Sequence, residues 1–244
     1  MKLIAIVAFI LSLSKSPSII ADDAKNTVAA LPPVGSWVRY RVVTVQENGT
    51  ETTYDETVTW QEKELDSQGR DCRWIESRII LDDEKCTYAT RIFVPEQALL
   101  KDPDPLRQTV KLQRSENDRP VSEFPLYFAP LYTYAVLNSP GIKSEVATLD
   151  DPKTVKYQHG DLSIAEERSA SLQWTRQLQA GFRQDTNYEA MYYTHPSVDA
   201  GVAEATIKLT IKYDGRLRAS SQTYYLMDAG DKESSNIKTS RFQE

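Results

Sequence analysis

The stretch that decides the fold is Ser36–Gln61, SWVRYRVVTVQENGTETTYDETVTWQ. Two β-rich runs flank Asn48-Gly49, and a type I′ turn needs positive φ at both central residues, which that dipeptide tolerates. A two-residue loop there sets Glu47 opposite Thr50. Counting outward, it sets Val43 opposite Tyr54, Arg41 opposite Glu56 and Trp37 opposite Trp60, with Arg39, Arg41 and Glu56 on the Trp37 face. Aromatic, ionic and β-branched/aromatic cross-strand pairs each add roughly 0.2–1 kcal/mol. The two runs are therefore expected to found an antiparallel sheet.

Working outward, Asp66-Ser67-Gln68-Gly69 marks a second turn, and Asp71–Leu81 and Lys85–Val94 read as two further strands joined at Asp82-Asp83. At Pro95-Glu96-Gln97-Ala98-Leu99-Leu100 the period changes to that of a short helix. Asp104-Pro105 repeats the signal as N-cap and first residue, with Leu106 and Val110 one turn apart on a common face. Asn138–Gly160 is rich in turn signals, Ser139-Pro140-Gly141 and Asp150-Asp151-Pro152, with room for two short strands. Strand alternation returns at Leu172, Trp174, Leu178, Ala180 and Phe182, continues through Thr186–Thr194, and recurs at Ile207, Leu209, Ile211 and Tyr213 before Asp214-Gly215. A two-residue turn there pairs Ile211 with Arg218 and Leu209 with Ser220. A three-residue loop with Gly215 as a left-handed bulge pairs Ile211 with Leu217 and Leu209 with Ala219, and is the expected form because it joins apolar to apolar. The fold class is mainly β (α+β): an antiparallel twisted sheet or half-barrel with a few short helices covering one side.

The 244 residues, 40% hydrophobic and 26% charged, have an ordinary globular composition. Met1–Ala21 has the layout of a secretory signal peptide: Lys2, an apolar run from Leu3 to Leu13, and a small residue, Ala21, before Asp22-Asp23. The run is shorter than the ~20 residues of a membrane span, so no stable span is expected after cleavage. Residues 22–35 read as a flexible leader, 36–230 as a single β-rich domain and 231–244 as a polar, disordered tail. The expected location is exported, periplasmic or extracellular. Loss of Lys2 and Lys15 with the signal takes the net charge from −6 to −8, a balance that argues against nucleic acid as a partner. Cys72 and Cys86 suit either a disulfide of an exported protein or two small buried thiols.

Catalytic patterns are sparse. His159 and His195 each sit beside a turn residue without a second His or Cys at ligand spacing, so no metal site is expected, and no nucleophile elbow, Walker loop or dinucleotide fingerprint calls for a cofactor. Acidic groups occur at Asp82-Asp83-Glu84, Asp102/Asp104, Asp150-Asp151 and Glu166-Glu167; turn and capping roles explain Asp82, Asp104 and Asp150, whereas glycoside hydrolysis needs two carboxylates facing each other. The most distinctive segment is Val121–Leu137, dense in aromatic and apolar side chains and broken by Pro125 and Pro130. It either plugs the sheet as core or faces a ligand, and Tyr127, Phe128, Leu131 and Tyr132 are the candidate ligand-binding residues.

A long meander from Trp37, short helices at Pro95 and Asp104, and a return to strands ending at Tyr225 resemble the curved sheet with helical cover of LolA-type lipoprotein carriers. Ile92–Leu106 and His195–Thr210 also resemble stretches of uncharacterised secreted β-rich proteins of environmental bacteria. The first resemblance implies a half-barrel whose concave apolar face holds acyl chains. The expectation is a non-catalytic binding or carrier module for an apolar ligand such as a lipid. The alternative is a structural or protein-interaction component of the cell envelope, with its protein partner unknown, and a carbohydrate-active enzyme ranks last.

Overall fold

The computed structural model describes residues 30–81, 87–116, 119, 121–177, 183–213 and 215–231. Its strands are β1 (Trp37–Gln46), β2 (Glu51–Leu65), β3 (Asp71–Leu81), β4 (Thr87–Pro95), β5 (Lys111–Glu116), β6 (Ser122–Glu123), β7 (Glu145–Tyr157), β8 (Gly160–Gln177), β9 (Arg183–Tyr193), β10 (Glu204–Tyr213) and β11 (Arg216–Gly230). They form one antiparallel sheet, not closed into a barrel, in the order β6-β5-β4-β3-β2-β1-β11-β10-β9-β8-β7. The first and last long strands meet at its centre, so the sheet is two meanders joined along β1 and β11.

Alternation gives the sheet an inner, buried face. Val38, Tyr40 and Val42 of β1 lie in register with Val58 of β2 and with Tyr224 and Leu226 of β11, and all are buried. The inner face is continuous with Ile75, Ile92, Leu112, Tyr188 and Ile207 in one core. Helix α1 (Glu96–Lys101) and two 3₁₀ segments, Pro105–Gln108 and Leu126–Val136, contribute Leu99, Leu106 and Val136 to that core. No helix among the described residues is long and apolar enough to cross a membrane. The predicted turn at Asp104-Pro105 ends at Gln108, so Val110 does not share a helical face with Leu106. Val110 packs instead with Cys72, Trp74 and Phe93 in a small cluster on the outer face. There Cys72 is a free, buried thiol opposite Pro95, while Cys86, the other half of the disulfide expectation, lies outside the described residues.

Both hairpin registers differ from expectation by one residue. In β1–β2 the loop has three residues, Glu47-Asn48-Gly49: the Gln46 and Gly49 amides donate to the Thr50 and Gln46 carbonyls at 2.9 Å each, and Gly49 takes φ +80°. Trp37 consequently faces Thr59, Val43 faces Thr53, and Arg41 pairs with Asp55 rather than Glu56. A one-residue slip exchanges the faces of a strand, so Glu56 leaves the Trp37 face and lies buried, opposite Tyr40. In β10–β11 the expected bulged loop is replaced by the two-residue connection: Tyr213 pairs with Arg216, Ile211 with Arg218 and Leu209 with Ser220.

Two further expectations are revised. Asn138–Gly160 is not mainly loop: it holds the 13-residue β7, and Asp150-Asp151-Pro152 forms part of a bulge within it, between Thr148 and Lys153. The sheet also curls far enough for the β7–β8 turn to touch the central strand. The Gln158 amide donates to the Met227 carbonyl at 3.0 Å, and His159 Nε2 lies 2.9 Å from Asp228.

Candidate functional site

At the end of the sheet away from the β7–β8 turn, a cavity of about 440 Å³ opens between the helical cover and strands β8–β10. One wall is Leu106, Leu126, Phe128 and Leu131 from the cover, and the other is Trp174 and Ile211 from the sheet. Trp174 and Ile211 are there because alternation turns them inward with Thr186, which lies across from both. The apolar rim is solvent-facing: Leu126 is 46% and Leu131 36% exposed. Thr109, Gln184 and Thr186 supply the neutral polar tips.

Arg107 also borders the cavity, but its guanidinium is engaged, donating to Asp104 and to the Gln173 carbonyl. The Asp104 carboxylate accepts a further hydrogen bond from Trp174 Nε1. Burial raises the Asp104 carboxyl above its ordinary value against the opposing pull of Arg107. These bonds latch the Pro105–Gln108 turn to β8 and place the Trp174 ring at the cavity.

The four residues singled out from the sequence divide. Phe128 and Leu131 line the cavity, with Phe128 stacked on Phe124 at 4.6 Å. Tyr132, at a kink in its 3₁₀ segment (φ −100°, ψ 18°), turns to the sheet, its hydroxyl 3.2 Å from Thr90 Oγ1. The Tyr127 side chain lies outside the described atoms. Sequence reasoning missed Leu106, Trp174 and Ile211 as site residues, although the alternation that buried Trp174 and Ile211 was visible. A larger, open trough of about 640 Å³ lies on the outer face, where Met191, Ala170 and Ala190 alternate with the charged and hydroxyl side chains of Glu189, Lys208, Ser169 and Ser171.

Deeper in, a second feature had no sequence signal. Glu56 is 1% exposed, and its Oε1 accepts hydrogen bonds from Ser77 and from the hydroxyl of Tyr134 in the covering segment. Burial pushes this carboxyl up to about 7 against the lowering effect of those two donors. Tyr134 stacks on Tyr224 at 5.0 Å, and Tyr224 meets Tyr40 edge-on at 5.6 Å.

No family model and no curated protein matches the chain. Among solved structures it is similar to a LolA superfamily protein from Nitrosomonas europaea, at 10% identity over 82% of this chain and 87% of that one, with a TM-score of 0.26. It is also similar to MucB in complex with MucA(peri), at 8% identity over 81% and 93% of the two chains, with a TM-score of 0.10. The first of these is a weak architectural resemblance.

Proposed function

We propose that the protein is an exported, non-catalytic binding or carrier module for an apolar ligand such as a lipid, held between the Leu126–Val136 segment and the inner ends of β8–β10. The observation that carries this reading is the cavity of about 440 Å³ with apolar walls on both sides. Small-molecule sites typically measure ~300–1,000 Å³ and pair apolar walls with a few polar groups, as Thr109, Gln184 and Thr186 are here. Each Å² of apolar ligand surface removed from water contributes roughly 25 cal/mol, which favours an acyl-like guest over a polar one. The ion pair with Asp104 offsets the charge of Arg107, so the rim does not select strongly for an anionic head group.

Native mass spectrometry of the protein purified from the exported fraction tests this. The expected result is a lipid-sized adduct in the wild type that is lost in Leu131→Asp, a substitution at a partly exposed site that leaves the fold intact by circular dichroism. A clean apo mass, even after incubation with a lipid extract, would overturn the proposal and favour a structural or docking role for the same rim.

A further inference from the structure

Glu56 sits at the junction of sheet and cover. It stands on β2, receives Ser77 from β3 and Tyr134 from the covering segment, and the two hydroxyl oxygens lie 3.0 Å apart. Both donors address Oε1, while Oε2 is buried without a hydrogen-bond partner. Burial raises the phenols packed around it, and its charge raises them further: Tyr40 from β1, Tyr54 from β2, Tyr132 and Tyr134 from the cover, Tyr188 from β9 and Tyr224 from β11. Among the described residues, no cation forms an ion pair with it.

That asymmetry has a chemical meaning. A carboxylate seeks donors at both oxygens, whereas a neutral acid can use one oxygen as a doubly accepting carbonyl and carry its proton on the other. Oε2 lacks a partner in either state, and an unmet O–H costs less than an unpaired buried charge, so the site favours the neutral acid. Ionisation would leave a buried negative charge with an undersatisfied oxygen and no counter-ion, which is the costly case. The simplest relief is to admit water by lifting the element that covers the carboxyl, and that element also carries Phe128 and Leu131.

We propose that Glu56 is a proton-operated clasp: as a neutral acid it holds the Leu126–Val136 segment to the sheet through Tyr134, and on ionisation it lets the segment lift, opening the cavity. As a device for ligand exchange, this rests on the carrier reading. The closed form holds the carboxyl at about 7, and the open form returns it to the ordinary 4.5, so closing takes up a proton. The closed-to-open ratio is constant below pH 4.5, falls about tenfold per pH unit between the two values, and levels off above the higher one. Ligand exchange is therefore slow in mild acid and fast near neutrality.

Amide hydrogen exchange read by mass spectrometry, from pH 5 to 8 and corrected for intrinsic rates, tests the clasp without any ligand. Wild type should show opening of residues 126–137 that rises about tenfold per pH unit and levels off near pH 7, while Glu56→Gln should be flat. An equal slope in Glu56→Gln, or protection of residues 126–137 that equals that of the Val38–Val42 amides at every pH, which would mean that the segment opens only by global unfolding, overturns the proposal. Should Glu56→Gln fail to fold, Tyr134→Phe keeps the acid and removes the strap. Protection of residues 126–137 should then fall at pH 5 while that of β8 and β9 holds, and unchanged protection of the segment counts against the clasp. A flat wild-type profile alongside a lipid adduct would overturn the clasp and leave the carrier reading standing. A pH-dependent segment in a protein that never carries an adduct would do the reverse.

Discussion

The hairpins β1–β2 and β10–β11 bear similar turn dipeptides, Asn48-Gly49 and Asp214-Gly215, and take different loops. The first spends three residues on its loop and the second two. What separates them lies far from either turn. A two-residue loop at Asn48-Gly49 would turn Val58 and Trp60 outward while Val38 and Tyr40 face in, and those four are among the most deeply buried side chains. A three-residue loop at Gly215 would do the same to Tyr224 and Leu226, which the observed register keeps inside beside Ala205 and Val42. Near the β10–β11 turn Leu217 is 56% exposed, so pairing Ile211 with Arg218 there sacrifices little. The deep end of a strand sets its register, and the turn adapts.

The sharpest way to break this comparison is at the deep end. Trp60→Ala empties a buried site and strands the Ala200 carbonyl that its indole reaches at 2.8 Å, for a loss of about 3–5 kcal/mol in urea denaturation. Changing loop length should do less. Deleting Glu47 leaves Asn48-Gly49 as a two-residue loop with Gln46 still opposite Thr50, and a glycine inserted after Gly215 leaves a three-residue loop with Tyr213 still opposite Arg216. Each variant should keep a cooperative thermal transition with a modestly changed Tm, and loss of that transition in either would refute the idea that depth decides. Leu217→Ala, by contrast, should fall within about 0.5 kcal/mol.

The first hairpin also carries a pH signature that the second lacks. Because Glu56 is raised from 4.5 to about 7 in the fold, its contribution to stability is intact below pH 4.5, is lost progressively as pH rises, and is fully lost above about 7. The shift corresponds to at most about 3 kcal/mol, visible as a urea midpoint that is higher at pH 5 than at pH 8 and that becomes pH-independent in Glu56→Gln. The smallest effect is shared. Gly49 and Gly215 both hold positive φ with open space around the Cβ position, so Gly→Ala at either should cost only backbone strain, about 1 kcal/mol, and Asn should cost less than Ala. Unequal costs would show that one loop is anchored by more than its backbone geometry.

Much of the fold is legible because half-buried strands alternate, as Leu172/Trp174 and Ile207/Leu209 do. β7 escaped because most of its residues are exposed, which erases the alternation, and because Asp150-Asp151-Pro152 signals a turn where the chain only bulges. At the site, aromatic density pointed to Phe128 and Leu131, but which end of β8 and β10 they meet depends on pairings thirty or more residues distant. Glu56 was illegible for a simpler reason: its face depends on whether one loop has two residues or three.

The contact between the β7–β8 turn and β11 has a kinetic corollary. Gln158 and His159 draw the last hairpin against Met227 and Asp228, while Val155, Leu162, Ile164 and Leu226 are buried around that end. The sheet is therefore closed over at this end, and the cavity mouth at Leu131 and Trp174 lies at the other. If the cavity holds a guest as proposed, entry and exit share the mouth at Leu131 and Trp174, so release has to precede reloading.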